Sequence, residues 1–216
     1  MKSKWLHVKT VRNFLADQLS LLRQYRHLYT RESGFSIPPD YANAVRVRVL
    51  MNAQNEVVGG FCVNTGQTAF RYIGFDPEKA QQALADRGLV LSELSEITGI
   101  VFGPKIRRSQ RQWLYARMAF DLLLSRKSVI MGGSFIPAIR RVQKQLMRHT
   151  LYTTTLPITR PDGQVHMMEL EVYYVFRHEV LSVLSQFLFK DVVKQLRSTV
   201  KSVSTYRVNQ NEHSVQ

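Results

Sequence analysis

Residues Ser95-Glu96-Ile97-Thr98-Gly99-Ile100-Val101-Phe102 form an apolar run carrying one carboxylate, and a short basic loop leads from it into the helical pattern Ser109 to Leu124. The run reads as a buried strand, which commits the chain to a sheet with a helix leaving one strand end. The junction is also a way to build an anion site. The first turn of a helix leaves backbone N–H groups unpaired and gathers partial positive charge, and Arg107, Arg108 and Arg111 crowd this one. A solvated helix end would carry the same residues, so the rest of the chain decides between the two readings.

Apolar residues at three- and four-residue spacing predict an amphipathic helix over Val11 to Tyr29, ended by Gly34 and Pro38-Pro39. The alternation Val45-Arg46-Val47-Arg48-Val49 predicts a strand with its arginines outward. The turn Asn52 to Asn55 joins it to Val57–Val63 as an antiparallel hairpin, whose Gly59-Gly60 predicts a bulge or a close backbone approach. A short strand is expected at Phe70–Phe75, a helix at Pro77–Arg87 closed by Gly88, and a helix at Arg108–Arg126. A strand at Ser128–Gly133, a helix at Pro137–Arg148, and strands at Leu151–Ile158 and Met167–Phe176 follow. Val180 to Leu196 carry the wide apolar face of a last helix, before a polar tail.

With 216 residues and 44% hydrophobic content the chain can bury a large core. It has no apolar run of roughly 18 residues, and no apolar segment follows its basic start, so a cytoplasmic protein without a membrane span is expected. Its single cysteine, Cys62, excludes an intrachain disulfide, and its scattered histidines argue against a metal site. The formal charge of +14 calls for an acidic partner. Between Pro104 and Arg148, eleven lysines and arginines stand against one acid, Asp121, so this is the expected docking segment. Arg140, Arg141, Lys144 and Arg148 fall along one side of the predicted helix there.

Four segments resemble the GNAT acyltransferase superfamily, in the branch containing acyl-homoserine lactone synthases and N-acyl amino acid synthases. Arg23 to Phe35, with Arg26 and Tyr29, resembles the family's first helix and its basic, aromatic exit. Glu56-Val57-Val58-Gly59-Gly60-Phe61 resembles its second hairpin strand, Glu96-Ile97-Thr98-Gly99 the strand bearing its acidic residue, and Ile136 to Arg148 its late helix. The resemblance spans roughly residues 10 to 176. The resemblance implies an α/β (α+β) fold with a central mixed, mostly antiparallel sheet flanked by helices. Residues 1–178 would be the acyltransferase domain, 179–198 an extra C-terminal amphipathic helix able to mediate oligomers, and 199–216 a polar tail. Three departures stand out. Arg107 to Trp113 holds no glycine where the family has a glycine-containing phosphate loop, Gly99 stands where lactone synthases carry arginine, and Gln145 and Leu146 lie where the family places a general-acid tyrosine.

The implied donor is an acyl thioester, on coenzyme A or on an acidic acyl carrier protein that meets Arg140, Arg141, Lys144 and Arg148, without a metal. Arg107, Arg108, Ser109, Gln110 and Arg111 would hold its phosphate. An amine acceptor must lose a proton to a base, for which Glu96 is the first candidate and Glu93 the second. Arg26, Arg46 and Arg48 are the candidates for gripping an acceptor carboxylate. Met118, Phe120, Leu122, Leu123 and Met131 are candidates for lining an acyl tunnel, and Trp113 and Tyr115 for stacking on a base. Cys62 reads as core, because no His or Asp lies near it in sequence. The competing readings are a nucleic-acid-binding protein, driven by charge, and a non-catalytic partner-binding protein on the same scaffold.

Overall fold

The computed structural model describes residues 7–11, 16–159 and 163–186. Strand β1 (His7–Val11) leads to helices α1 (Ala16–Ser33) and α2 (Pro39–Ala44), then to strands β2 (Arg46–Met51) and β3 (Val57–Asn64). Helices α3 (Arg71–Phe75) and α4 (Pro77–Ala85) precede the long strand β4 (Leu94–Phe102). Helix α5 (Arg108–Leu123), strand β5 (Val129–Ser134), helix α6 (Pro137–Leu146) and the hairpin β6 (His149–Thr159) and β7 (Val165–Phe176) complete the series. Residues 180–186 are helical, and the rest of the expected C-terminal helix and tail lies outside the described residues.

All seven strands form one sheet in the order β1-β2-β3-β4-β5-β7-β6. Every neighbouring pair is antiparallel except β4 and β5, which run parallel. This is the mixed, mostly antiparallel sheet that the resemblance implies. Helices α1 to α4 cover one face, where Tyr25 and Leu22 meet Val47 and Val49, and Ala80 and Leu84 lie over Leu94 and Met131. Helix α5 and residues 180–186 cover the other, with Leu114, Met118, Val180 and Val183 packed on Ile97 and Ile130. Among the described residues no helix is long and apolar enough to cross a membrane.

The local expectations fail at three places. Val11 belongs to a strand paired with Val47, so the first helix starts at Ala16 rather than Val11. Residues 71–75 are helical rather than extended, because the Glu96 carboxylate accepts the N–H groups of Arg71 and Tyr72, caps that turn and overrides the aromatic residues' preference for strand. Arg46 is exposed as expected, whereas Arg48 turns beneath α5. Its Nε and Nη2 each donate to Asp121 at 2.7 Å, in a bidentate pair that Arg117 joins at 3.4 Å.

The single acid of the basic segment therefore locks α5 to the sheet. Asp121 is 0% exposed and Arg48 largely covered, so removing the acid leaves a mostly desolvated guanidinium unpaired. In urea unfolding Asp121→Ala should cost about 3–5 kcal/mol, and pairing it with Arg48→Met should recover most of that loss.

Candidate active site

Strand β4 changes face at Gly99. Ile97 and Ile100, three residues apart, both reach the α5 side, while Val101 reaches the α1 side. Gly99 has φ +66°, which glycine adopts without steric cost, and the register against β3 shifts there. The carbonyl of Gly99 accepts the buried Tyr25 hydroxyl at 2.6 Å. Tyr25 comes this close because its ring lies over Gly60, where a Cβ would collide with the ring and with the Arg48 carbonyl. The glycine pair is thus a close approach, one of the two outcomes its sequence allows.

On its other edge β4 pairs with β5 only from Leu94–Val129 to Ile97–Gly132. Beyond that point the strands part, and a cleft of about 290 Å³ passes through the gap. Thr98, Gly99 and Ile100 line it from β4, and Gly133 and Ser134 from β5. Tyr29, Arg71, Tyr72, Phe75 and Phe135 form its wall on the α1 side, and Ile136, Ile139 and Gln143 its wall on the α6 side. Behind Ile100 and Gln143, which line both spaces, lies an apolar hollow of about 40 Å³ between α5, α6 and residues 180–184. Met118, Leu122, Leu146 and Met147 line it.

Glu96 sits beneath the cleft, 0% exposed. Its carboxylate accepts the Tyr41 hydroxyl at 2.6 Å and the backbone N–H groups of Tyr72 at 2.8 Å and Arg71 at 3.1 Å. Burial raises its pKa, and these three donors with the Arg71 charge pull the other way without cancelling the rise. Arg71 is the cation of the cleft wall. Its guanidinium stacks over Tyr41 and Phe75, at 5.6 Å and 5.8 Å to the ring centroids, and donates to the Ser36 carbonyl. Two cleft tyrosines, Tyr29 and Tyr72, have hydroxyls whose pKa burial pushes above the ordinary value, so both stay protonated.

The residues nominated from sequence divide. Glu96 underlies the cleft, while Glu93 is exposed at the other end of β4 and bonds Ser128. Arg26 donates to the Ile37 carbonyl, Arg48 is paired with Asp121, and Arg46 is exposed, and none of the three lines the cleft. Arg107, Arg108, Ser109 and Arg111 are exposed around the first turn of α5, where Gln110 accepts the Arg107 N–H and Arg111 stacks over Phe102. The expected basic face is divided: Arg140 is bonded to Glu169 and Glu171, and Arg148 reaches Glu179, leaving Arg141 and Lys144 exposed on α6. Of the expected tunnel residues, Met118 and Leu122 line the hollow, Leu123 packs beside that core, Phe120 is exposed, and Met131 faces the opposite side of the sheet. Trp113 is exposed and Tyr115 lines the hollow. Cys62 is buried in bonding distance of Tyr25, and burial raises its thiol to about 12, so it is core and un-ionised.

Arg71 and Gln143 have nothing in the local sequence to mark them. Arg71 looks like one more arginine in a chain rich in them, and Gln143 like one more polar residue in a basic helix. Only the fold shows that they share a cleft.

Comparison with protein-family models finds no match to this sequence, and neither does comparison with curated proteins. Solved structures do match. FeeM, an N-acyl amino acid synthase from uncultured soil microbes, aligns with TM-score 0.59 at 14% identity, over 86% of this chain and 99% of its own. An N-acetyltransferase from Staphylococcus aureus Mu50 aligns with TM-score 0.51 at 13% identity, over 80% and 99%. The AHL synthase LasI aligns with TM-score 0.50 at 9% identity, over 79% and 91%. The chain has the GNAT fold, which these three structures share.

The Tyr25–Gly99 bond predicts a stability effect. Tyr25→Phe leaves a buried carbonyl unpaired and should cost about 1–3 kcal/mol in denaturant unfolding. Gly99→Ala should cost at least as much, because its Cβ would fall on the Tyr25 hydroxyl and 2.8 Å from Ile37. Equal stability of both variants and wild type would mean that the bulge is not held this way.

Proposed function

We propose that the protein is an N-acyltransferase that moves an acyl group from a phosphopantetheine thioester to the amine of an amino acid or similar acceptor. The observation that carries this reading is the cleft through the β4–β5 gap, lined by backbone edges of both strands and sharing Ile100 and Gln143 with the apolar hollow behind it. A thioester needs such a path: backbone donors for its carbonyl oxygen, and a dry space for its chain. FeeM and the S. aureus protein are named for chemistry of this kind.

In this reading the acyl chain enters the hollow and the thioester carbonyl lies against β4 just past Gly99, near the N–H of Ile100. The pantetheine arm runs along the gap, and its phosphate meets the first turn of α5 and the side chains of Arg107, Arg108, Ser109, Gln110 and Arg111. Arginine side chains there take the place of a glycine loop, a set suited to the single phosphate of a carrier-protein arm. Arg141 and Lys144 extend the basic surface toward such an acidic carrier. The acceptor enters on the α1 side, where Arg71 receives its carboxylate. Its neutral nitrogen attacks the thioester carbon, the C–N bond forms, and the C–S bond breaks to release a thiolate, which becomes the thiol by taking up the proton that the nitrogen then sheds. Glu96 takes the amine proton through an intervening water, because its carboxylate lies behind the backbone of Arg71 and Tyr72.

The nucleic-acid reading rests on charge alone. Part of that charge is engaged internally, by Asp121, Glu169, Glu171 and Glu179.

Mass spectrometry of the protein incubated with acyl-carrier-protein and acyl-coenzyme A thioesters plus pooled amines tests the reading, and an N-acylated amine is the expected product. Arg71→Met should raise KM for a carboxylate-bearing acceptor about ten- to a hundredfold, the worth of a charged hydrogen bond, while leaving the donor KM within about threefold. Ionised Glu96 is the active form and burial raises its pKa, so kcat/KM should climb with pH along a limb above the usual carboxylate range. Glu96→Gln should remove that limb and lower kcat by about a hundredfold or more. No product from any donor, or an unchanged pH profile in Glu96→Gln, would contradict the assignment.

A further inference from the structure

We infer that helix α5 lies flat on an anionic lipid surface, with Trp113, Phe120 and Leu124 set into the boundary between headgroups and acyl chains. This contact needs nothing from the acyl-thioester reading above. Helix α5 is apolar on two sides. Leu114, Met118 and Leu122 pack on the sheet, as the inner side of a surface helix must, and the opposite side of such a helix is ordinarily polar. Here Trp113, Phe120 and Leu124, at i, i+7 and i+11, form one outward stripe about 16 Å long, and they are 48%, 50% and 60% exposed. Polar residues at these three positions would leave the core untouched, so packing within the chain does not call for the stripe.

Area and charge select what covers it. The three side chains expose on the order of 300 Å² between them, against the roughly 800 Å² that a standard protein partner covers on each side. A ridge this small is enough for a lipid surface, where shallow insertion of a few rings and leucines is reinforced by charge. The charge is present. Lys105, Arg107 and Arg108 stand exposed ahead of Trp113 and Arg126 behind Leu124, while the Arg117 guanidinium stacks over Phe120 at 5.4 Å. Asp121, the one acid from Pro104 to Arg148, is buried against Arg48, so this segment turns no carboxylate outward. Cations at both ends of an aromatic and leucine stripe complement acidic lipid headgroups around an apolar interior. Among the described residues no helix is long and apolar enough to cross the bilayer, so the contact runs along its surface.

The test uses the full chain and vesicles of phosphatidylcholine, with or without phosphatidylglycerol. In a Trp5→Phe variant, whose one tryptophan is Trp113, emission should move to shorter wavelength on the anionic vesicles and be quenched by lipids brominated on the acyl chain. In co-sedimentation, neutral vesicles should bind about tenfold or more weaker than anionic ones, and added salt should narrow that difference. Trp113→Ser combined with Phe120→Ser should weaken partition onto anionic vesicles about tenfold or more, with an unchanged melting temperature because both side chains lie outside the core. Adsorption without quenching of Trp113, or a double variant that binds as tightly as wild type, would make the contact one of charge alone and overturn the role of the stripe. Absence of vesicle binding would overturn the inference outright. Self-association of the full chain in light scattering, lost in the double variant, would assign the stripe to a second copy instead.

Discussion

A single hydrogen bond, from the Tyr25 hydroxyl to the carbonyl of Gly99, sits where every feature of the cleft begins. A strand that continued regularly past Ile97 could go on pairing with β5, and there would be no gap. With the extra residue at Gly99 the strand turns its edge, Ile100 moves to the α5 side, and Thr98 to Ile100 line the opening. The left-handed backbone at Gly99 is a local cost that the packed ring of Tyr25 and the floor provided by Gly60 hold in place. Helix α1 therefore acts on the site from a distance, through one phenol.

Electrostatics divides into two sets of charges with different work. Arg48 with Asp121, and Arg140 with Glu169 and Glu171, join helices to the sheet; Asp121 is fully buried, so its pair is costly to break. The arginines at the start of α5, with Arg141 and Lys144, stay exposed and can meet an acidic partner at long range, where their effect is on encounter and falls with salt. Glu96 belongs to neither set. It is a carboxylate committed to three internal donors under the cleft, and the same contacts that fold residues 71–75 into a helix place Arg71 in the wall.

Much of the sheet is legible in the sequence, because valine alternation in β2, the apolar run of β4 and the turn before β7 are local signals. Glu96 is legible too, as the one carboxylate on an apolar strand. What the sequence hides is tertiary. Val11 reads as helix because its strand partner, Val47, is far along the chain, and residues 71–75 read as strand because their cap comes from Glu96. Arg48 looks like a solvated partner of Arg46 until α5 brings Asp121 over it. Gln143 and Arg71 carry no local mark at all; the convergence of β4, β5, α3 and α6 gives them their place.

The central claim is that the gap between β4 and β5 receives a thioester arm. Amide chemical-shift mapping of the isotopically labelled protein, titrated with a stable acyl-pantetheine thioether, addresses it without relying on turnover. Shifts concentrated at Thr98 to Ile100 and Gly133 to Ser134, continuing into Met118, Leu122 and Leu146, are what the account predicts. Saturable shifts confined to another surface, with those residues unmoved, would contradict it.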